Sequence, residues 1–279
     1  MSAPPMAERA PSTTREVFKT SVAALARLVR PVRGSAKPIW RAYGRLAVGA
    51  AASIAVLLLI MIYVDVTAIR AARQAPAWLV GVFQFATQLG LSGWFLVPLG
   101  LGLGVIAWAS IRPLTRMSQL VLASLSVRLG FLFLAIALPG LVVTIAKRLI
   151  GRARPLVGGE NPFLYEFFFW RVEYASFPSG HATNAFAAAV AFGTLWPRLR
   201  PLLWSYAVII ALSRIVVTAH HPSDVVAGAI AGAVGALLVR DWLAARGLGF
   251  TIRTDGTVVP LPGPSLMRLK RVARSLCGQ

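Results

Sequence analysis

The chain has 279 residues, of which 57% are hydrophobic and 14% are charged, and its mean hydropathy is +0.70. This composition is far more apolar than that of an average soluble domain and indicates an integral membrane protein. The formal net charge of +20 does not indicate nucleic-acid binding, because the basic residues lie between long apolar runs, as they do in membrane proteins.

Six apolar runs are predicted to span the membrane, where a crossing takes about 20 residues. They cover residues 46–64, 93–110, 128–145, 182–196, 202–219 and 224–239. Residues 77–92 are predicted to lie at the interface, because the run over 77–110 is too long for one crossing and too short for two. The first run suits an uncleaved helix better than a signal peptide. The predicted fold class is therefore all-α, a polytopic bundle of six transmembrane helices with an outer interfacial loop.

Three regions follow from this reading: a basic N-terminal arm over 1–45, a six-span domain over 46–243 and a basic C-terminal tail over 244–279. The fourth and sixth spans contain AFAAAVAFG and AGAIAGAVGA, whose small residues predict close helix packing. In the tail, FTIRTDGTVVPL predicts a small hairpin at its DG turn, and MRLKRVAR is expected to lie on anionic headgroups. The only cysteine, Cys277, excludes an intramolecular disulfide.

Most of the 29 lysines and arginines fall on one face of a six-span topology. Positive residues favour the cytoplasmic side, so both termini are predicted to be cytoplasmic. Residues 147–181 and the stretch AHHPSD then lie outside. A composition rich in Ala, Arg and Gly favours a bacterial source, so the protein is expected in the cytoplasmic (inner) membrane with its outer face in the periplasm.

Three clusters far apart in sequence lie at this outer face, namely KRLIGRARP, FPSGHA and SRIVVTAHHPSD. Lys147, Arg154 and Arg214 are fixed cations with few carboxylates nearby, which predicts an anion site, and guanidinium groups suit phosphate oxygens. Ser179 is placed to cap the fourth span, and Gly180 lets the backbone approach a ligand. Metal binding is the poorer interpretation, because adjacent cations repel a metal ion.

Two histidines beside a phosphate site favour phosphoryl transfer through a covalent intermediate. His220 is a competent nucleophile if its other ring nitrogen donates to a carboxylate, and Asp224 follows it by about one helical turn. His181 is free to protonate the leaving oxygen. His221 lies one residue out of register and is expected to shape the helix entry, with Pro222 in the first turn.

These residues form three motifs that resemble the type 2 phosphatidic acid phosphatase family, whose phosphate site is shared with vanadium haloperoxidases and glucose-6-phosphatase. The motifs are K-x6-R-P from Lys147 to Pro155, P-S-G-H from Pro178 to His181, and S-R-x5-H-x3-D from Ser213 to Asp224. All three are complete, in order and at the family's spacing, and the resemblance covers about residues 46–243. Membrane members of the family resemble six-helix bundles with the site at the outer face.

The resemblance implies a role for each motif residue. Phosphate oxygens would be bound by Lys147, Arg154, Arg214, the Ser179 hydroxyl and the Gly180 amide. His220 would attack phosphorus to form a phosphohistidine, and Asp224 would orient its ring. His181 would protonate the leaving group and then activate water. No metal and no cofactor are implied.

The predicted function is therefore hydrolysis of a phosphomonoester or diphosphate of a lipid, such as a polyprenyl diphosphate, phosphatidylglycerophosphate or phosphatidic acid. A lipid A phosphatase and a lipid phosphotransferase are alternatives within the family. A non-catalytic lipid transporter or binding protein is the alternative of another class, and it predicts carboxylates inside the spans. The expected partners are a lipid phosphate and the bilayer, without nucleic acid; nothing in the sequence indicates the oligomeric state.

The remaining polar and aromatic residues of the outer face have simpler interpretations. Arg128, Arg148 and Arg152 lie outside the motifs and are interpreted as headgroup contacts or topology determinants. The aromatic residues of the outer loop favour an interfacial belt, with a lateral gate for a lipid tail as the alternative. They are Phe163, Tyr165, Phe167, Phe168, Phe169 and Trp170.

Overall fold

The computed structural model describes residues 39–111, 114–159 and 161–276. Its helices are α1 (Ile39–Tyr63), α2 (Asp65–Arg73), α3 (Ala77–Gln88), α4 (Gly93–Ala109), α5 (Arg116–Ile150), α6 (Pro155–Gly158), α7 (Gly180–Leu195), α8 (Arg200–Val216), α9 (Pro222–Ala244) and α10 (Leu266–Leu276). Short 3₁₀ turns precede α7 and α8, at Val172–Tyr174 and Pro197–Leu199. The predicted N-terminal arm up to residue 38, and Cys277, lie outside the described residues.

Each predicted span coincides with a helix, but the count of six is not confirmed. Among the described residues, four helical segments are long and apolar enough to cross a membrane: Ala77–Ala109, Arg116–Ile150, Pro197–Val216 and Pro222–Ala244. A fifth is added if α1 and α2, which bend by 49°, form one span. The predicted fourth span, α7, has only 16 residues. Its length of about 24 Å is less than the roughly 30 Å of a hydrocarbon core, so length alone does not identify it as a span.

The apolar run over 77–110 forms two helices, α3 and α4, and the position of residues 77–92 at the interface stays a prediction. A turn over residues 89–92 separates α3 from α4. The third predicted span lies within one continuous helix, α5, of 35 residues. Thr115 caps the start of α5 through a hydrogen bond from the Ser118 amide to its side chain, 3.3 Å long.

The centre of the bundle is formed by α5, α7 and α9. Phe131 and Ile136 of α5 pack with alanines of α7 and with Val239 of α9. Small residues bring α7 and α9 into backbone contact, because a β-carbon at Gly228 or Gly232 of α9 would lie 2.3 or 2.2 Å from a carbonyl oxygen of α7. The predicted close packing of these two helices is therefore confirmed. This packing holds the N-terminal ends of α7 and α9, which carry two of the three motifs, side by side.

The C-terminal tail folds back onto the bundle. Strands β1 (Phe250–Ile252) and β2 (Val258–Pro260) pair antiparallel, which confirms the predicted hairpin. Phe250 is buried and meets the ring of Phe131 edge-on at 4.8 Å. Val272 of α10 packs on Val121 and Leu122 in the N-terminal part of α5. Arg128, interpreted from the sequence as a headgroup contact or topology determinant, donates instead to the Leu261 carbonyl of the tail.

Candidate active site

The C-terminal end of α5 and the N-terminal end of α7 meet the α8–α9 turn, so the three motifs surround one point. Lys147 lies in the last turn of α5, and its Nζ atom would be 3.2 Å from a β-carbon at Gly180. The Ser179 amide donates to the backbone carbonyl of Asp224 at 2.9 Å. His181 lies within electrostatic range of Lys147, Arg154, Arg214 and His220. The structure thus brings all the predicted site residues together.

Three cations, Lys147, Arg154 and Arg214, face this point, and no carboxylate of the described residues forms an ion pair with them. Gly151 ends α5 in a left-handed conformation, and this turn leads the chain to Arg154. Only glycine fits there, because a β-carbon would lie 1.6 Å from the Glu166 carbonyl oxygen. Arg214, in the last turn of α8, donates one Nη1 hydrogen bond to the Thr87 hydroxyl of α3 at 2.5 Å. The buried Nε atoms of Arg154 and Arg214 have no hydrogen-bond partner among the described residues. Buried cationic donors of this kind are satisfied by an oxyanion that accepts from them.

Ser179 stands at the N-cap position of α7, but its hydroxyl makes no capping bond. The prediction that it caps this helix through its side chain is therefore wrong. Its backbone is held by Asp224 and by Thr183, whose amide and hydroxyl both donate to the Ser179 carbonyl. The Ser179 hydroxyl is buried and has no partner in the part of the chain that the structure describes. It is thus free to donate to a ligand at the helix start, beside the Gly180 amide.

His220 is buried beside Asp224, but a serine lies between the two. The His220 Nδ1 atom is 3.8 Å from Asp224 Oδ2, which is longer than a hydrogen bond. Ser176 donates its hydroxyl to the same carboxylate oxygen at 2.6 Å and lies 3.4 Å from His220 Nδ1. Burial lowers the pKa of His220 to about 4, although the Asp224 carboxylate opposes this shift. The imidazole is therefore neutral at physiological pH, as a nucleophile must be.

His221 begins α9 rather than facing the cations. Its backbone amide donates to Asp224 Oδ2 at 2.9 Å, its Nδ1 atom is 3.4 Å from the same oxygen, and Pro222 occupies the first turn. The predicted role of His221 at the helix entry is thus confirmed. His220, by contrast, lies within electrostatic range of Arg154 and Arg214.

Arg152 is fully buried, so its interpretation as a headgroup contact or topology determinant is wrong. Its Nη1 atom donates to Asp224 Oδ1 and, at 2.7 Å, to the Ser223 hydroxyl. Its Nη2 atom donates to Asp65 Oδ2 at 2.8 Å, and its Nε atom donates to the Pro162 carbonyl at 2.9 Å. One guanidinium therefore joins the first residue of α2 to the carboxylate beside His220.

Asp65 completes this buried network from the other side. It accepts from the Ser223 amide at 2.9 Å and from the Ser223 hydroxyl at 2.5 Å, and it has no exposed surface. We call the set Asp65, Arg152, Ser223 and Asp224 the Arg152 network. It contains one cation and two carboxylates, and every carboxylate oxygen in it accepts at least one hydrogen bond.

The sequence contains one usable signal for this network. Asp65 is one of only nine acidic residues and directly follows the first apolar run, where an unpaired carboxylate is costly. Arg152 has no such signal, because it is one of four basic residues in the stretch KRLIGRARP. Ser176 and Thr87 are likewise unremarkable in sequence, and only their contacts reveal them.

A cavity of about 420 Å³ begins at the cationic site and continues along α5 and α7. Its polar end is formed by Lys147, Gly180 and His181. Its other walls are mainly apolar, and three of the lining residues there have polar side chains. The remaining lining residues are Leu91, Ser92, Leu96, Ile136, Ala137, Gly140, Leu141, Thr144 and Asn184. The exposed side chains of Leu91 and Leu141 lie at its rim. The cavity therefore links Lys147 and His181 to an apolar groove, as an amphiphilic phosphate requires.

The loop between α6 and α7 exposes several large aromatic side chains: Phe163, Phe167, Phe168 and Trp170. Tyr165 is half-buried, and its ring stacks on Phe167 with 6.1 Å between centroids. Phe169 meets Tyr174 edge-on at 5.1 Å. Arg148 is held to this loop through a hydrogen bond to the Trp170 carbonyl. The exposed rings have the character of an interfacial belt, and the lateral gate stays a prediction.

Comparisons with known proteins agree with the motifs. The PAP2 superfamily model matches residues 128–248. A lipid A 1-phosphatase of Rhizobium johnstonii is 38% identical over 128 residues, which cover 46% of this chain and 52% of the relative. The "Putative undecaprenyl-diphosphatase YbjG" of Escherichia coli is 32% identical over 171 residues, which cover 61% of this chain and 76% of the relative. The chain thus spans about half the length of the Rhizobium relative and three quarters of the Escherichia coli one.

Two solved structures are similar in outline. A PAP2-type phosphatidylglycerolphosphate phosphatase from Bacillus subtilis has 21% sequence identity and a TM-score of 0.48, over 69% of this chain and 94% of that chain. LpxE from Aquifex aeolicus has 23% identity and a TM-score of 0.44, over 63% of this chain and 93% of that chain.

Proposed function

The chain belongs to the PAP2 superfamily, and from this premise we propose that it is a membrane-embedded lipid phosphatase that works without a metal ion. One observation carries the proposal: two histidines lie among three cations at the end of an apolar groove, and the buried Nε atoms of two of these cations have no partner among the described residues. Unpaired cations and a neutral buried imidazole suit phosphoryl transfer from a lipid phosphate.

Substrate phosphate is proposed to bind between Lys147, Arg154 and Arg214, with the Ser179 hydroxyl and the Gly180 amide as further donors. These groups are held in place by helix ends before the substrate arrives. Donors that are already oriented stabilise the charge on the equatorial oxygens of the transition state without reorganising. The three cations repel one another, so the site favours the binding of an anion.

The chemical step is proposed to be an in-line attack by His220 Nε2 on phosphorus. The N–P bond forms as the bond from phosphorus to the leaving oxygen breaks, and His181 gives its proton to that oxygen. Positive charge then develops on the His220 ring, where the Asp224 carboxylate and the Ser176 hydroxyl stabilise it. Water next attacks phosphorus, His181 takes its proton, and the N–P bond breaks to release inorganic phosphate.

The relatives support several candidate lipid substrates and do not select one of them. We propose a lipid phosphomonoester or diphosphate, with polyprenyl diphosphate, phosphatidylglycerophosphate, phosphatidic acid and lipid A 1-phosphate as candidates. The two relatives reported above are named for lipid A and for undecaprenyl diphosphate. A phosphotransferase would move the phosphoryl group from His220 to an acceptor hydroxyl; labelled phosphate that appears on a second lipid, with little free phosphate, would favour it.

A transporter without catalysis is the weaker proposal. It predicts a carboxylate that is free to bind a coupling ion inside the bundle. Asp65 is a buried carboxylate directly after the first predicted span. It is, however, fully occupied by Arg152 and Ser223.

Phosphate release from the four candidate lipids, measured on the purified full-length chain in detergent, tests the function. We expect release from at least one lipid, unchanged by EDTA, and strong inhibition by orthovanadate, which fits a site for a five-coordinate phosphoryl group. Inhibition should be competitive with the lipid. Release that requires a divalent cation, or no release from any lipid, would contradict the proposal.

We also propose that the site lies on the outer face, with both termini cytoplasmic, because the basic residues concentrate at the opposite ends of the helices. Cysteine labelling in a Cys277→Ser background tests this orientation. Leu156 lies beside the site with 71% of its surface exposed, and Thr254 lies exposed in the tail hairpin. In intact cells, an impermeant thiol reagent should modify the Leu156→Cys chain and spare the Thr254→Cys chain. The reverse pattern would overturn the topology.

A further inference from the structure

The groove below the cations contains an amide with no partner. Asn184 lies on α7 three residues after His181, so it lines the same helix face about 4.5 Å further along the axis. Its Oδ1 atom lies against Gly140 of α5, where a β-carbon would be 2.9 Å away. Its side chain makes no hydrogen bond to any residue that the structure describes. Ser92 also lines the groove, and its hydroxyl likewise has no partner among the described residues.

An unpaired amide at this depth is unfavourable unless a ligand satisfies it. Leu96, Ile136 and Leu141 form much of the surrounding wall, and Leu141 is exposed at the rim. A bilayer offers few water molecules to replace the missing partner. Thr144 lines the same groove, but its hydroxyl already donates to the Gly140 carbonyl at 2.8 Å. Asn184 therefore differs from Thr144 in being available to a bound lipid.

We propose that Asn184 is a specificity-determining residue, which binds an acyl carbonyl a few bonds from the phosphate of the substrate. Glycerophospholipids and acylated amino sugars both carry such a carbonyl, as an ester or an amide. A polyprenyl phosphate has only hydrocarbon at this depth, so it would leave the amide unpaired. A site that is built to hydrogen-bond a substrate group discriminates against an analogue that lacks it. This inference rests on the proposed phosphatase function.

The test compares phosphatidic acid with its dialkyl ether analogue, which has the same phosphate and tails but no carbonyls. We expect kcat/KM of the wild-type chain to be roughly three- to tenfold higher for the ester, the range of one neutral hydrogen bond. Asn184→Leu should remove this ratio, mainly by raising KM for the ester. It should also raise the rate on a polyprenyl phosphate relative to phosphatidic acid.

Thr144→Val is the matched control, because it removes a hydroxyl from the same groove that is already satisfied. It should keep the ester preference. A lipid A phosphate assayed beside phosphatidic acid distinguishes the sugar-linked from the glycerol-linked carbonyl. Equal rates for ester and ether in the wild type, or an ester preference that survives Asn184→Leu, would overturn the inference and leave the phosphatase intact. Absence of phosphate release from every lipid would overturn both.

Discussion

Replacement of His220 by alanine is expected to lower phosphate release by roughly a thousandfold or more, because it removes the proposed nucleophile. His221→Ala is expected to stay within about tenfold of the wild type, since that side chain only supports the start of α9. Both histidines are buried and both lie near Asp224 Oδ2, so the pair is closely matched. The difference between them lies in what else they approach: His220 lies within electrostatic range of Arg154 and Arg214.

The measurement is phosphate release by purified variants in detergent, with the thermal unfolding midpoint as a check on folding. A second readout is covalent: chain treated with ³²P-labelled lipid and quenched in alkali should retain label, because phosphohistidine resists base. His181→Ala should slow both formation and loss of this label. His221→Ala as inactive as His220→Ala, at equal thermal stability, would show that the register of the nucleophile is wrong.

Arg152→Gln is expected to destabilise the protein by roughly 3–5 kcal/mol, because it leaves two buried carboxylates without their cation. Asp65 and Asp224 would then lose the one cation among the described residues that donates to both of them. Arg152→Lys should recover only part of the stability, since one ammonium cannot reproduce donation to four acceptors in a planar fork. The double variant Asp65→Asn/Arg152→Gln removes one charge of each sign and should be more stable than Arg152→Gln alone.

Arg148→Gln is the matched control, four residues earlier in the chain and in the last turn of α5. Arg148 is partly exposed and donates to one loop carbonyl, so its loss should change stability by less than about 1 kcal/mol. Thermal unfolding in detergent at low and high salt compares the variants, and salt should shift the buried network less than an exposed pair. An Arg152→Gln chain as stable as Arg148→Gln would contradict the proposed network.

Local sequence information was sufficient for the parts of the protein that depend on near neighbours. Apolar runs predicted where each helix of the bundle lies, and a DG turn predicted the tail hairpin. The spacing of four residues from His220 to Asp224 predicted that the two side chains are close. The three motifs predicted the family, which the comparisons confirm. Each of these features follows from helix periodicity, turn chemistry or motif spacing, which act over a few residues.

The count of spans was harder, since it depends on how each helix meets the bilayer. α7 is too short to pass a test of length, yet it is packed between α5, α8 and α9. Its alanines are buried against other helices rather than facing lipid. Hydropathy alone does not separate a short buried helix from a short span.

The sequence by itself determined the helical membrane class, the family and the set of residues that surround the proposed phosphate site. Only the tertiary structure decided what holds that set in place. Arg148 and Arg152 are the same residue type four positions apart. Arg148 is partly exposed, whereas Arg152 is buried and binds Asp65 and Asp224, which lie 87 and 72 residues away. The same distinction separates Asn184 from Thr144. Burial and long-range pairing fix these roles, and neither is encoded within a window of neighbouring residues.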